Sequence, residues 1–270
     1  MKGVILAGGA GSRLHPLTLA TNKHLLPVYD KPLIYYPLTT LMLAGIREFL
    51  VIVNPNDLFQ YKKLLLDGAQ WGVQISYEVQ EKHGGIPEGI TIGKEFIGND
   101  NFILILGDNI FYGVGLGRSI SELVEKIDKN LYDAVVFTYK VSDPERYGII
   151  SLSSEGNVLS IEEKPTDLKS DLAITGLYIF NNNAIDIASK LTESSRGELE
   201  ITDLIRHYSL KDKLFVNNLN LGTAWLDTGT FSSMNDASNF IRIVQDRQNI
   251  KIGEPSGAAI VQGWLGKSGE

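Results

Sequence analysis

The chain has 270 residues, 43% of them hydrophobic and 21% charged, and its formal net charge is −7. That profile fits a soluble globular protein with a sizeable core, and it argues against nucleic acid as a bulk partner, because phosphate backbones are bound through clustered Lys and Arg. With no cysteine there is neither a disulfide framework nor a zinc–thiolate centre, and no stretch approaches the ~18 apolar residues of a membrane span. The apolar run at the N-terminus is too short for a signal-peptide core, so the expectation is a cytoplasmic protein with no membrane partner.

In chain order, residues 3–7 read as a strand without polar alternation, which suits burial on both faces. Residues 33–45 carry apolar groups at helical spacing, with Pro32 suited to a helix's first turn. A strand at 49–53, a helix at 57–66, a strand at 73–79, a helix at 88–96 and a strand at 102–106 follow. This βαβα order predicts a three-layer α/β/α, Rossmann-like fold with a mainly parallel sheet, whose ligands sit beyond the carboxyl ends of the strands. Further on, strands are expected at 134–140, 147–152 and 158–163, with a hairpin turn at 154–157. A strand at 172–180, helices at 183–191 and 200–210, strands at 214–218 and 224–227 and a helix at 231–246 complete the pattern. No linker-like shift in composition and no internal repeat interrupts it. One domain over 1–270 is expected, with a nucleotide-binding half to about residue 130, a substrate half over about 131–250 and a short extension over 251–270.

Leu6-Ala7-Gly8-Gly9-Ala10-Gly11-Ser12-Arg13-Leu14 follows the first strand directly. Glycines there let backbone N–H groups approach a polyphosphate, and Arg13 adds a permanently charged fork. A Walker A loop would need a lysine after the loop, and there is none. A dinucleotide fingerprint would need a third glycine where Leu14 stands, and Asp30 is only a loose match for its acidic residue. Ten residues beyond Arg13 comes a second cation, in Asn22-Lys23-His24-Leu25-Leu26-Pro27.

Together these motifs resemble the sugar nucleotidylyltransferases, and in detail the glucose-1-phosphate thymidylyltransferases. The resemblance continues through 29–38 and 41–47 to about residue 250. It implies transfer of a nucleotidyl group from dTTP to glucose 1-phosphate, giving dTDP-glucose and pyrophosphate. Leu6, Ala7, Gly8, Gly9, Ala10, Gly11, Ser12, Arg13, Lys23 and His24 are then expected around the nucleotide. Gln80 and Gly85 would read the pyrimidine base. Two aspartates end strands, Asp108 in Leu106-Gly107-Asp108-Asn109 and Asp227 in Trp225-Leu226-Asp227-Thr228. Read alone, the first is as good a turn residue as a cation ligand, and either Asp227 or Thr230 could cap the last helix. The resemblance implies that both hold Mg2+ at the nucleotide, and that Arg13, Lys23, Asp108 and Asp227 form the catalytic set.

On the substrate side, Lys164 and Arg196 are expected to grip the sugar phosphate, with Glu163, Tyr147, Gly148, Thr175, Gly176 and Trp225 around the sugar. Two departures fall near the nucleoside: Gly84-Gly85-Ile86-Pro87-Glu88-Gly89 replaces the family's usual Gly-Leu-Ala-Gln-Ala, and His24 stands where glutamine is usual. They leave UTP open beside dTTP as the donor. A homo-oligomer is expected by resemblance only. The rival readings are another pyrimidine-specific nucleotidylyltransferase and, in a different class, a catalytically silent nucleotide-sugar sensor.

Overall fold

The structure, a computed structural model, describes residues 1–82, 84–219 and 221–266. The last four residues of the expected C-terminal extension therefore lie outside the described residues. In chain order the elements are β1 (Lys2–Ala7), β2 (Pro27–Val28), β3 (Lys31–Pro32), α1 (Tyr35–Leu43), β4 (Glu48–Val53), α2 (Leu58–Leu65) and β5 (Gln74–Val79). Next come α3 (Ile86–Ile92), α4 (Lys94–Ile97), β6 (Phe102–Leu106), β7 (Asn109–Tyr112), α5 (Leu116–Asp128), β8 (Ala134–Lys140), β9 (Gly148–Leu152) and β10 (Val158–Glu163). The chain ends with β11 (Leu172–Phe180), α6 (Asn183–Ala188), α7 (Ile201–Ser209), β12 (Leu214–Asn218), β13 (Ala224–Asp227), α8 (Phe231–Gln248) and α9 (Pro255–Val261). This is the α/β fold expected from the alternation of patterns.

The departures from the sequence reading have local causes. Pro32 does not open a helix: it pairs with Pro27 in the β2–β3 ladder, across a turn in which Tyr29 takes a positive φ of 58°. Helix α1 starts three residues later. The single helix expected at 88–96 is divided at Gly93, which ends α3 and precedes α4. Four elements, β2, β7, α5 and α9, fall wholly in stretches that were given none. For α5 the helical spacing was present, in Leu116, Ile120, Leu123 and Ile127, but glycines crowd the residues before it.

Two compact units interleave along the chain. Unit 1 comprises Met1–Glu81, Ile105–Glu122 and the chain from Gly222 on; unit 2 comprises Lys82–Leu104 and Leu123–Leu221. In unit 1, β1 pairs with β4 and β4 with β5, all parallel, and five of the six residues of β1 are buried. Its second ladder is antiparallel and sets Asp227 opposite Asn109, Leu226 opposite Ile110 and Trp225 opposite Phe111. In unit 2, β8, β9, β10 and β11 pair antiparallel, and β12 joins β8 in parallel. Among the described residues no helix is long and apolar enough to cross a membrane.

One apolar cluster of unit 1 explains where its charged groups stand. Leu14, Leu26, Val28, Leu33, Tyr36, Ile110, Met234, Ala237, Ile241 and Ile252 form it, with Leu226 packed against it. Leu14 follows Arg13, Leu26 lies three residues after Lys23, Ile110 two after Asp108, and Leu226 immediately before Asp227. Burying one such side chain stabilises by about 1.5–3 kcal/mol, so each charged residue is held by an adjacent anchor in the same core.

Candidate active site

The glycine loop leaves β1 at Ala7 and turns at Gly11, whose φ of 62° is left-handed. A Cβ there would lie 3.0 Å from the Lys23 Cβ and from Thr18 Cγ2, so a side chain at Gly11 would be both strained and crowded. The Thr18 hydroxyl donates to the Gly11 carbonyl at 2.7 Å and closes the turn. Gln80 lies against the same loop: a Cβ on Gly8 would fall 2.9 Å from Gln80 Oε1. The glutamine expected to read a base is therefore a neighbour of the loop expected to hold phosphates.

Lys23 and Asp108, expected to serve as phosphate cation and metal ligand, pair with each other. Lys23 Nζ is 2.6 Å from Asp108 Oδ2, and only 6% of the lysine side chain is exposed against 26% of the aspartate. Burial pushes the Asp108 carboxyl up, but the Lys23 ammonium and the Asn109 amide outweigh it and hold the group well below the usual carboxylate range. Asn109 Nδ2 donates to Asp108 Oδ1 at 2.8 Å while its Oδ1 accepts from the Trp225 indole N–H at 2.6 Å. Trp225, expected beside the sugar, is thus bonded to the partner of Asp108, in unit 1. The Thr228 hydroxyl adds a bond of 2.8 Å to the Asp108 carbonyl.

Asp227 ends β13. The helix cap that could have claimed it belongs to Thr230 instead, in a reciprocal capping box with Ser233. Gly229 marks where the two unlike charges converge: a Cβ there would lie 3.0 Å from Asp227 Oδ2 and 3.4 Å from Arg13 Cζ. Arg13 itself is exposed, on a single turn of 3-10 helix, Ser12–Leu14. The buried His24 is held neutral, with burial lowering its pKa to about 4, and its ring borders both the loop at Gly9 and the turn at Gly107.

The donor set fits a hard divalent cation. Asp108 precedes Asn109, the residue directly opposite Asp227 in the β7–β13 ladder, so two carboxylates rise from neighbouring strand positions. Asp108 is ionised throughout the neutral range. Magnesium keeps several waters and usually takes one or two carboxylates plus phosphate oxygens, so no larger cage is required. Among the described residues no group of three or more His, Asp or Glu forms a metal cluster.

Unit 2 gathers the residues expected at the sugar phosphate. Gly148 is opposite Glu163 in the β9–β10 ladder, and a Cβ on Gly148 would fall 3.2 Å from Glu163 Oε2. The Thr202 hydroxyl donates to Glu163 Oε2 at 3.3 Å and Arg196 Nη1 donates to Glu163 Oε1 at 3.4 Å. Arg196 also reaches Glu200 at 3.3 Å and Glu198 at 3.1 Å. Burial, reinforced by the neighbouring Glu200 charge, pushes the Glu163 carboxyl above its usual range. Lys164 stands at a positive φ of 42°, uncommon for a residue with a side chain, and donates its N–H to the Tyr147 carbonyl at 3.0 Å.

Thr175 is fully buried, with its hydroxyl on the Phe137 carbonyl at 2.9 Å, and Gly176 falls in the register shift of β11 between Ile174 and Tyr178. Gly85 bridges to Leu199, and at its φ of 92° a Cβ would meet the Leu199 carbonyl oxygen at 2.2 Å. Asn109, Thr228, Thr202 and Glu200 complete these two constellations without having been singled out from sequence. Asn109 and Thr228 adjoin Asp108 and Asp227, and Glu200 and Thr202 lie four and six residues beyond Arg196; what the sequence did not carry is which side chain faces which. A cavity of about 540 Å³, lined by Tyr36, Thr39, Phe111, Tyr112, Lys251 and Gly257 among others, contains none of the expected site residues.

A glycine loop on a buried parallel strand, a lysine–aspartate pair and a second strand-end aspartate all stand in unit 1. The chain belongs to the nucleotidyl transferase family, whose model matches residues 2–243. The glucose-1-phosphate thymidylyltransferase of Neisseria meningitidis serogroup A is 49% identical over 265 residues, covering 98% of this chain and 91% of that protein. The enzyme of the same name from Mycolicibacterium smegmatis is 48% identical, covering 98% and 90%. A crystal structure described as a glucose-1-phosphate thymidylyltransferase from Bacillus anthracis, in complex with sucrose, matches with a TM-score of 0.84 at 36% identity, covering 95% of this chain and 99% of that one. A UDP-glucose pyrophosphorylase complexed with UDP-glucose shares the fold, with a TM-score of 0.78 at 24% identity over 90% of this chain and 98% of its own.

Proposed function

We propose that this protein joins dTTP and glucose 1-phosphate into dTDP-glucose, releasing pyrophosphate. A phosphate oxygen of glucose 1-phosphate attacks the α-phosphorus of the nucleotide in line; the new P–O bond forms as the bond to the bridging oxygen of the β-phosphate breaks. The nucleophile needs no general base, because the second pKa of a phosphate monoester is about 6 and it is largely dianionic near neutrality. The barrier lies in bringing two polyanions together and in the charge on the leaving pyrophosphate, so catalysis is positioning and electrostatics.

Asp108 and Asp227 would hold Mg2+, which when bound neutralises charge on the nucleotide phosphates. Backbone N–H groups of Gly8 to Ser12 cradle the phosphates, and Arg13 and Lys23 offset charge that grows as the leaving group departs. Gln80 and Gly85 meet the base edge, donating to one atom and accepting from another. On the sugar side, Lys164 and Arg196 align the attacking phosphate while Glu163 accepts from a sugar hydroxyl. In this reading the nucleotide groups, Gly85 apart, lie in unit 1, and Glu163, Lys164 and Arg196 lie in unit 2. The expectation of a homo-oligomer rests on the resemblance alone.

The observation that carries the reading is the β7–β13 ladder, which brings an aspartate from residue 108 and another from residue 227 to one edge beside a buried lysine. UTP is the second donor to consider, since a pocket discriminates a methyl group by only about 1–3 kcal/mol and His24 replaces the usual glutamine. The test is pyrophosphate release from glucose 1-phosphate with dTTP, UTP and CTP in magnesium buffer. Fastest release with dTTP is expected. Faster release with UTP would reassign the donor, and no release with any of the three would remove the reaction.

A further inference from the structure

Behind the glycine loop, unit 1 holds a buried polar cluster that the reaction as derived leaves unused. Asn22 is at its centre, 5% exposed. Its Oδ1 accepts from the His24 backbone N–H at 3.0 Å, from His24 Nδ1 at 2.7 Å and from the Tyr61 hydroxyl at 2.9 Å. Its Nδ2 donates to Asp57 Oδ2 at 2.6 Å and, at 3.4 Å, to the Ala7 carbonyl. Asp57 Oδ2 accepts a second amide N–H, from Asn54 at 3.2 Å.

The chemistry of the partners fixes this arrangement in one sense. A carboxylate oxygen can only accept, so the Asn22 atom facing Asp57 is the amide nitrogen and the atom facing His24 is the oxygen. The imidazole nitrogen on that oxygen must then carry the proton. Turning the amide over would set its oxygen against the carboxylate and its nitrogen against three donors. The turn Lys23–Leu25 that Asn22 opens is consequently locked at its start by Asp57 and Tyr61, while Leu26 anchors its end in the apolar core. Lys23 leaves the backbone between these two fixed points.

We propose that Asn22 is a positioning residue for nucleotidyl transfer: clamped by Asp57 and Tyr61, it aims Lys23 at the nucleotide phosphates. The inference rests on the reaction proposed above. It differs from a simple helix cap, which would affect stability and leave turnover alone.

The experiment exploits the polarity of the Asn22–Asp57 pair. Asn22→Asp sets two carboxylates 2.6 Å apart where an amide met an acid. Adding Asp57→Asn restores one amide and one carboxylate, reversed, while the acid at position 22 can still accept from His24 and Tyr61. Asn22→Asp is expected to lower kcat for pyrophosphate release by about 10²-fold, as displacement of a phosphate-binding group by an ångström does. The double variant is expected to return to within about tenfold of the wild type, at a KM for glucose 1-phosphate unchanged in both. Asn22→Ser keeps a capping residue but loses the reach to Asp57, so kcat should fall even at temperatures where circular dichroism shows the variant fully folded. Wild-type kcat in Asn22→Ser, or a double variant that recovers Tm without turnover, overturns the proposal. A wild-type protein inactive with all three nucleotides would instead defeat the reaction, and this inference with it.

Discussion

The charged groups of unit 1 are anchored by apolar neighbours, whereas those of unit 2 are held chiefly by one another. Arg13, Lys23, Asp108 and Asp227 each stand within three residues of a side chain packed in or against a single core. Glu163, Arg196, Glu198 and Glu200 form instead a web of ion pairs, at 3.1 to 3.4 Å, in which one exposed guanidinium is shared among three acids, Glu163 and Glu198 half-buried and Glu200 buried. The most exposed of them, Arg196 with Glu198, stabilises by at most about 1 kcal/mol. The first arrangement suits groups that must keep their geometry while charge shifts in the reaction. The second suits an arginine that can exchange carboxylates for an incoming phosphate at little energetic cost.

The contrast can be broken at either end. The largest effect is expected in unit 1, where Asp108→Ala or Asp227→Ala should reduce turnover by about 10²-fold or more with the circular-dichroism spectrum unchanged. Wild-type rates from both variants in magnesium buffer would show that neither carboxylate serves the reaction. Next comes the anchor itself: Leu14→Ala leaves every charged group in place yet should cost about 2–5 kcal/mol of stability, read from denaturant unfolding, and lower kcat through a loosened Arg13. An unchanged kcat would show that the core does not set the geometry.

In unit 2 the effect should be on affinity. Arg196→Ala is expected to raise the KM for glucose 1-phosphate by about tenfold or more and leave the KM for the nucleotide alone. A change confined to the nucleotide would move Arg196 out of the sugar-phosphate site. The smallest effect concerns pH. Because burial and Glu200 raise the Glu163 carboxyl in the folded protein, its ionisation opposes folding. That cost is absent below the usual carboxylate range and fully present above the raised value, so the Tm of Glu163→Gln relative to wild type should climb as the pH rises through and beyond the usual carboxylate range. A difference that falls with rising pH would reverse the assigned direction.

What could be read in advance follows the same division. The buried strands β1, β4 and β6 were visible as uninterrupted apolar runs, and the strand-ending motifs around Arg13, Lys23, Asp108 and Asp227 stood out because glycine, charge and apolar run occur side by side. The capping ambiguity at Asp227 and Thr230 was not soluble from residue types, since both cap well; only the geometry of Ser233 decides it. Strand β7 was hidden because Gly-Asp-Asn reads as a turn, and its partner β13 lies more than a hundred residues away. The web around Arg196 was equally silent: three acids and a threonine near one arginine are ordinary surface composition until the β9–β10 ladder turns Glu163 towards them. Local pattern reports burial and turns; it does not report which distant segments become neighbours.

Interleaving has a consequence for how the protein comes into being. The β7 strand that follows Asp108 has its partner, β13, in a segment translated after all of unit 2, and that same segment supplies Met234, Ala237 and Ile241 to the anchoring cluster. A ribosome that has finished the first 130 residues has made the glycine loop, Arg13, Lys23 and Asp108, but nothing to complete the β7–β13 ladder. Cutting the gene at its midpoint would therefore not yield a free-standing nucleotide binder. Competence would arrive abruptly, when the segment from Gly222 on threads home.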